Sequence, residues 1–113
     1  MHEMSLAEGI RNVIDDEARR HRYRRIREIA LEVGQLANVD TGALRFALDV
    51  ALRGSVADSA IVTLHEPPGH AWCMRCADTV ELRRRGDGCP VCGSYQLAVT
   101  DGDQMRVTGM VVD

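Results

Sequence analysis

The 113-residue chain has no lysine, one tryptophan, two tyrosines, one phenylalanine and only three prolines. So few aromatic rings cannot build the stacking surface on which single-stranded nucleic acid binders lay successive bases. A net charge of −3 argues further against a general polyanion binder. No apolar run approaches the roughly 18 residues that span a bilayer. The opening Met-His-Glu-Met-Ser lacks the basic-then-apolar order of a secretory signal. The expectation is a soluble, cytoplasmic protein with neither a membrane nor a nucleic acid as partner.

Cysteine is scarce too, and its four copies are all paired in sequence: Cys73-Met-Arg-Cys76 and Cys89-Pro-Val-Cys92, with twelve residues between the pairs. In a reducing compartment such pairs are more often metal ligands or redox groups than stable disulfides. Two turns that each carry two thiolates supply the four soft donors that tetrahedral Zn²⁺ prefers. Catalytic zinc, rubredoxin-like iron and a redox-active CxxC are the functional readings, and a closed structural zinc site is the plainer one. Four thiolates leave no open position for water or substrate, which disfavours hydrolysis there. A segment this short buries little apolar surface, so the ion must supply its folding energy, on the order of 10 kcal/mol.

The 45% apolar content permits one modest domain with a small core. Residues Ser5 to Arg20 place Leu6, Ile10, Val13, Ile14 and Glu17 at helical intervals and predict a first helix. From Ile26 to Gly34 the period changes to two, with Ile29, Leu31 and Val33 alternating with Glu28, Ala30 and Glu32, which predicts a strand. Asp40 or Thr41 can cap a second helix whose stripe is Leu44, Leu48, Ala51 and Leu52 and whose stop is Gly54. Ala60 to Leu64 reads as a strand closed by Pro67-Pro68-Gly69, and Gln104 to Val112 as another. Between them, Gly69 to about Leu97 shows almost no periodic apolar pattern and reads as an insert around the cysteines. The economical fold pairs the last strand with the first two. It is an α+β fold, two helices on a small three-stranded mixed sheet with an inserted zinc-ribbon-like lobe. The expected division is 1–68 plus 99–113 against 69–98.

His2 matters through its position. A terminal amine, a deprotonated residue-2 amide and the imidazole can close adjacent chelate rings, an in-plane nitrogen set that suits Ni²⁺ or Cu²⁺ better than Zn²⁺. From position alone the default is a solvated histidine at a frayed end. Glu3 can add an oxygen ligand or simply favour the helix dipole. His21, His65 and His70 have no partner at metal spacing, but His70 lies three residues before Cys73 and is a candidate to hydrogen-bond a cysteine ligand from outside the ion or to serve an auxiliary metal contact. Arg19, Arg20, Arg22, Arg24, Arg25 and Arg27 crowd the end of the first helix, where a solvated, dipole-complementing end is the plain reading and an acidic protein or phosphate the functional one.

Met1-His2-Glu3, Leu31-Glu-Val33-Gly34, Ala43-Leu44-Arg-Phe46 and the arrangement Cys73, Cys76, Cys89-Pro-Val-Cys92-Gly93-Ser94 together resemble the HypA/HybF family of hydrogenase maturation factors over essentially the whole chain. The resemblance implies a nickel metallochaperone, not an enzyme. It would help insert Ni²⁺ into the large subunit of [NiFe]-hydrogenase, working with a HypB-type GTPase. Carried over by position, His2 is the nickel ligand, completed by the Met1 amine and the backbone nitrogens of His2 and Glu3, and the four cysteines hold structural Zn²⁺. Family members often follow the first CxxC with Gly, whereas Ala77 stands here, so the turn after Cys76 is expected to differ slightly. The rival reading is a zinc-ribbon nucleic-acid-binding protein using the arginine run. A rubredoxin-like electron carrier leaves the amino-terminal motif unexplained.

Overall fold

The computed structural model describes residues 2–113. The order is α1 (His2–His21), β1 (Ile26–Val33), α2 (Thr41–Ala51), β2 (Ile61–His65), β3 (Gly69–Cys73), β4 (Asp78–Leu82), β5 (Leu97–Asp101) and β6 (Met105–Val112). The strands form two three-stranded sheets, β2-β1-β6 and β4-β3-β5. The last strand therefore does pair beside the first, and two helices with a mixed sheet plus a zinc-ribbon lobe is the fold. No helix among the described residues is long and apolar enough to cross a membrane.

The chain divides into two compact units: 1–31, 39–64 and 107–113 in one, 32–38 and 65–106 in the other. In the first, α1 buries Ala7, Ile10, Ile14 and Ala18, a stripe at three- and four-residue steps. Val13, expected in that stripe, lies about 100° around the helix from Ile14 and is 54% exposed. Asp40 caps α2, its carboxylate accepting from the Ala43 N–H at 3.0 Å. Leu44, Ala47, Leu48 and Leu52 are buried on the α2 side. The open carbonyls at the end of α2 are answered from α1, where the Arg11 guanidinium donates to Ala51 O at 2.8 Å and Arg53 O at 3.3 Å. Ile26, Ile29 and Leu31 complete this core from β1.

The second unit holds the sheet missing from the sequence reading. β3 pairs with β4 as an antiparallel hairpin, Gly69 opposite Leu82 and Cys73 opposite Asp78. It also pairs with β5, Cys73 opposite Leu97, with a register shift between His70 and Ala71. The segment from Gly69 to Leu97 is thus two strands and the start of a third, and its alternation is real. It escapes notice because the inward positions of β3 are Gly69, Ala71 and Cys73, two of them too small to register as an apolar stripe. Leu36, Ala71 and Leu82 form one small core here, with Leu97 and Val99 packed against it. Gly69 has to be glycine, because a Cβ there would meet the Leu36 side chain.

Candidate metal centre

Each cysteine pair sits on a turn whose ends are fixed by strand pairing or backbone bonds. Cys73 ends β3 and Cys76 lies in the loop that leads into β4, so the first pair forms the tip of the β3–β4 hairpin. The second pair is closed by two backbone bonds, Cys89 N to Ser94 O and Gly93 N to Cys89 O, each 2.8 Å. Within the turns, the Cys76 N–H points at Cys73 Sγ and the Val91 N–H at Cys89 Sγ, both at 3.4 Å. These amides stabilise thiolate charge, and spacing alone does not reveal them.

The four sulfur atoms lie within 4.8 Å of one another. Cys73 Sγ is 3.7 Å from Cys92 Sγ, and Cys76 Sγ is 3.9 Å from Cys89 Sγ. A tetrahedral Zn²⁺ with bonds near 2.3 Å requires sulfur separations of about 3.8 Å, so the donor set fits that ion. Cys73 and Cys89 are buried beside Val80, with Leu97 packed against them. Cys76 and Cys92 are half-buried.

The residue after each pair takes the left-handed backbone conformation, Ala77 with φ 52° and Gly93 with φ 78°. Ala77 thus adopts the left-handed conformation glycine would favour, at the cost of its Cβ.

Crowding pulls the thiols apart electrostatically. Hydrogen bonding to the Cys92 side chain, then burial, pushes the Cys76 thiol up to about 12. The Cys92 backbone N–H, helped by that of Val91 and opposed by burial, draws Cys89 down to about 7. The Cys89 thiolate is favoured while Cys76 is held protonated, a conflict that a divalent ion removes by neutralising the thiolates it binds.

The other candidates lie apart from this cluster. His2 begins α1, its side chain 62% exposed, with Nδ1 3.5 Å from a Glu3 carboxylate oxygen. Met1 lies outside the described residues. His70 is on β3 but on the face opposite Cys73, because the two positions differ by an odd number of residues. Its Nδ1 is 3.7 Å from the Asp101 carboxylate. His21 pairs with Glu17 at 3.1 Å, and His65 ends β2 in solvent. In the arginine run, Arg20 and Arg19 share Asp16 at 2.6 and 3.5 Å, and Arg27 meets Asp113 at 3.2 Å.

Residues 1–112 match the family model described as HypA, hydrogenase/urease nickel incorporation, metallochaperone. A hydrogenase maturation factor HypA of Azoarcus sp. is 52% identical over 107 residues, covering 95% of this chain and 94% of its own. Its counterpart in Alkalilimnicola ehrlichii is 48% identical over 113 residues, with both chains covered completely. The solution structure of the nickel metallochaperone HypA from Helicobacter pylori superimposes with a TM-score of 0.71 at 18% identity, covering 97% of this chain and 96% of that one, which speaks to the fold alone.

Proposed function

This chain belongs to the HypA family of nickel metallochaperones that serve hydrogenase maturation, and from that premise we propose that it carries Ni²⁺ at its amino terminus, at His2. The observation that carries the reading is the position of His2, an exposed imidazole at the first residue of α1. The first N–H groups of a helix have no carbonyl four residues back. The amides of His2 and Glu3 can therefore turn to a metal without breaking a helical bond. With the Met1 amine and the imidazole they make a planar nitrogen set, the geometry Ni²⁺ accepts and Zn²⁺ does not favour. The Glu3 carboxylate beside the ring can accept a proton or fill a weak outer position.

The four cysteines take the opposite part. Cys73, Cys76, Cys89 and Cys92 hold Zn²⁺, which supplies folding energy to the unit of 32–38 and 65–106, while His2 lies in the unit of 1–31, 39–64 and 107–113. A filled tetrahedral site has no position from which to give an ion away. The exposed His2 imidazole and its neighbouring donors can be exchanged one at a time with an incoming ligand, so no bond-making catalysis is needed. The receiving partner is the large subunit of [NiFe]-hydrogenase and the cooperating one a HypB-type GTPase, both met in the cytoplasm. His70 faces Asp101 and lies on the side of β3 opposite Cys73, so it would act on the zinc site only through the sheet.

The test adds one equivalent of Ni²⁺ to zinc-loaded protein and records the absorption spectrum together with the zinc retained. Nickel on nitrogen donors, with zinc undisturbed, is the expected result. A sulfur-to-nickel charge-transfer band with zinc released would put nickel on the cysteines and overturn the reading.

A further inference from the structure

The end of α1 opposite His2 carries three arginines with no carboxylate partner among the described residues. Asp16 and Asp113 take Arg19, Arg20 and Arg27, and Glu17 takes His21, which leaves Arg22, Arg24 and Arg25 exposed and unpaired. They do not sit on a loose end. The Tyr23 N–H returns to Ala18 O at 3.1 Å, closing the helix, while Arg24 N and Arg25 O bond Asp113 O and Asp113 N at 3.0 and 2.8 Å. The Tyr23 ring stacks on His21, centroids 5.4 Å apart and planes 16° from parallel. The backbone between α1 and β1 is thus pinned, and it presents three guanidinium groups from a defined turn.

Arg22 carries a second signal. It occupies the helix-ending position that glycine normally fills, with φ 56°. An L-residue there is strained, and a strained exposed arginine is a poor choice for stability alone. The complement to the helix dipole is already supplied by Arg19, Arg20 and His21 in the last turn.

We propose that Arg22, Arg24 and Arg25 form a docking surface for a carboxylate-rich protein surface. A protein is favoured over nucleic acid because the chain's net charge is −3 and the turn adds only one aromatic stack, already internal. Planar guanidinium groups match carboxylates in paired hydrogen bonds. Because α1 has 20 residues, this surface lies about 30 Å along the helix from His2. A partner held there leaves the terminus free to exchange nickel. The inference goes beyond the nickel reading and does not depend on it.

The test measures binding of a fluorescein-labelled poly-glutamate peptide to the zinc-loaded full chain over a salt series, with a single-stranded oligonucleotide of equal charge alongside. The variants are Arg22→Gln/Arg24→Gln/Arg25→Gln, Arg22→Gly and, as a control in the other unit, Arg83→Gln/Arg84→Gln. The triple variant should bind the peptide about 10- to 100-fold more weakly, at about 2- to 5-fold per exposed pair, with a flatter salt dependence and unchanged nickel uptake. Arg22→Gly should raise the melting temperature while weakening peptide binding, a split that a merely structural arginine does not produce. Equal peptide binding by parent and triple variant, an equal loss in the control, or tighter binding of the oligonucleotide than of the peptide would each overturn the proposal.

Discussion

Replacing Ala77 by glycine should tighten zinc binding, although it removes an atom and adds no contact. Ala77 is exposed and has φ 52°, so its Cβ contributes no burial and strains the backbone. Left-handed backbone costs an L-residue about 1–2 kcal/mol, and glycine's greater freedom in the unfolded chain offsets about 0.4–1 kcal/mol of the relief. The net gain is about 0.5–1 kcal/mol, or about 2- to 5-fold in apparent affinity, since folding of this lobe and ion binding are one event. The second turn provides the mirror experiment. Gly93 has φ 78° and open space where a Cβ would go, so Gly93→Ala adds strain without a clash and should weaken zinc by a similar factor. Competition with a chromophoric chelator at fixed pH measures both. Looser zinc in Ala77→Gly, or no change in Gly93→Ala, would refute the strain argument.

Other outcomes follow from the same structure. Gly34→Ala would drive its Cβ into the carbonyl of Gly102, so it should cost about 3 kcal/mol or more, read as a fall in the denaturation midpoint. Arg11→Met keeps the aliphatic stem but removes the donor that caps the α2 carbonyls, and a loss of about 1–2 kcal/mol is expected from urea unfolding. Cys73→Ser should leave less than one zinc per chain by metal analysis and release the amides of β3 to β5 to fast hydrogen exchange, with α1 protected as before. Acidifying the intact protein should expel zinc as protons compete for the thiolates, and retention of zinc through acid titration would contradict a thiolate cage.

The sheet of the first unit was legible because its strands carry large side chains in alternation, as Ile29, Leu31 and Val33 do in β1. Both helices were legible for the same reason, and the cap at Asp40 is a side chain with one obvious use. The second sheet was not. The inner positions of its central strand β3 are glycine, alanine and cysteine, and packing around Leu36 and the sulfur atoms does part of the work that apolar bulk does elsewhere. Val13 was misplaced because a one-residue step turns a helical side chain by about 100°, and the choice between Val13 and its neighbours depends on what lies opposite. The cysteine cluster was legible from spacing, whereas the amides of Cys76 and Val91 and the left-handed turns are backbone features that side-chain identity hardly records. Ala77 hid one of them, since alanine gives no hint of positive φ. The unpaired arginines emerge only once Asp16 and Asp113 are seen to satisfy the others.

We assign zinc to the four cysteines and nickel to His2. Calorimetric titration of Ni²⁺ into untagged, zinc-loaded protein tests this assignment most directly, run beside His2→Ala and a version with extra residues ahead of Met1. One nickel per chain in the parent, loss of that binding in both variants, and unchanged zinc in all of them are the expected results. Nickel bound by either variant as tightly as by the parent would contradict the assignment.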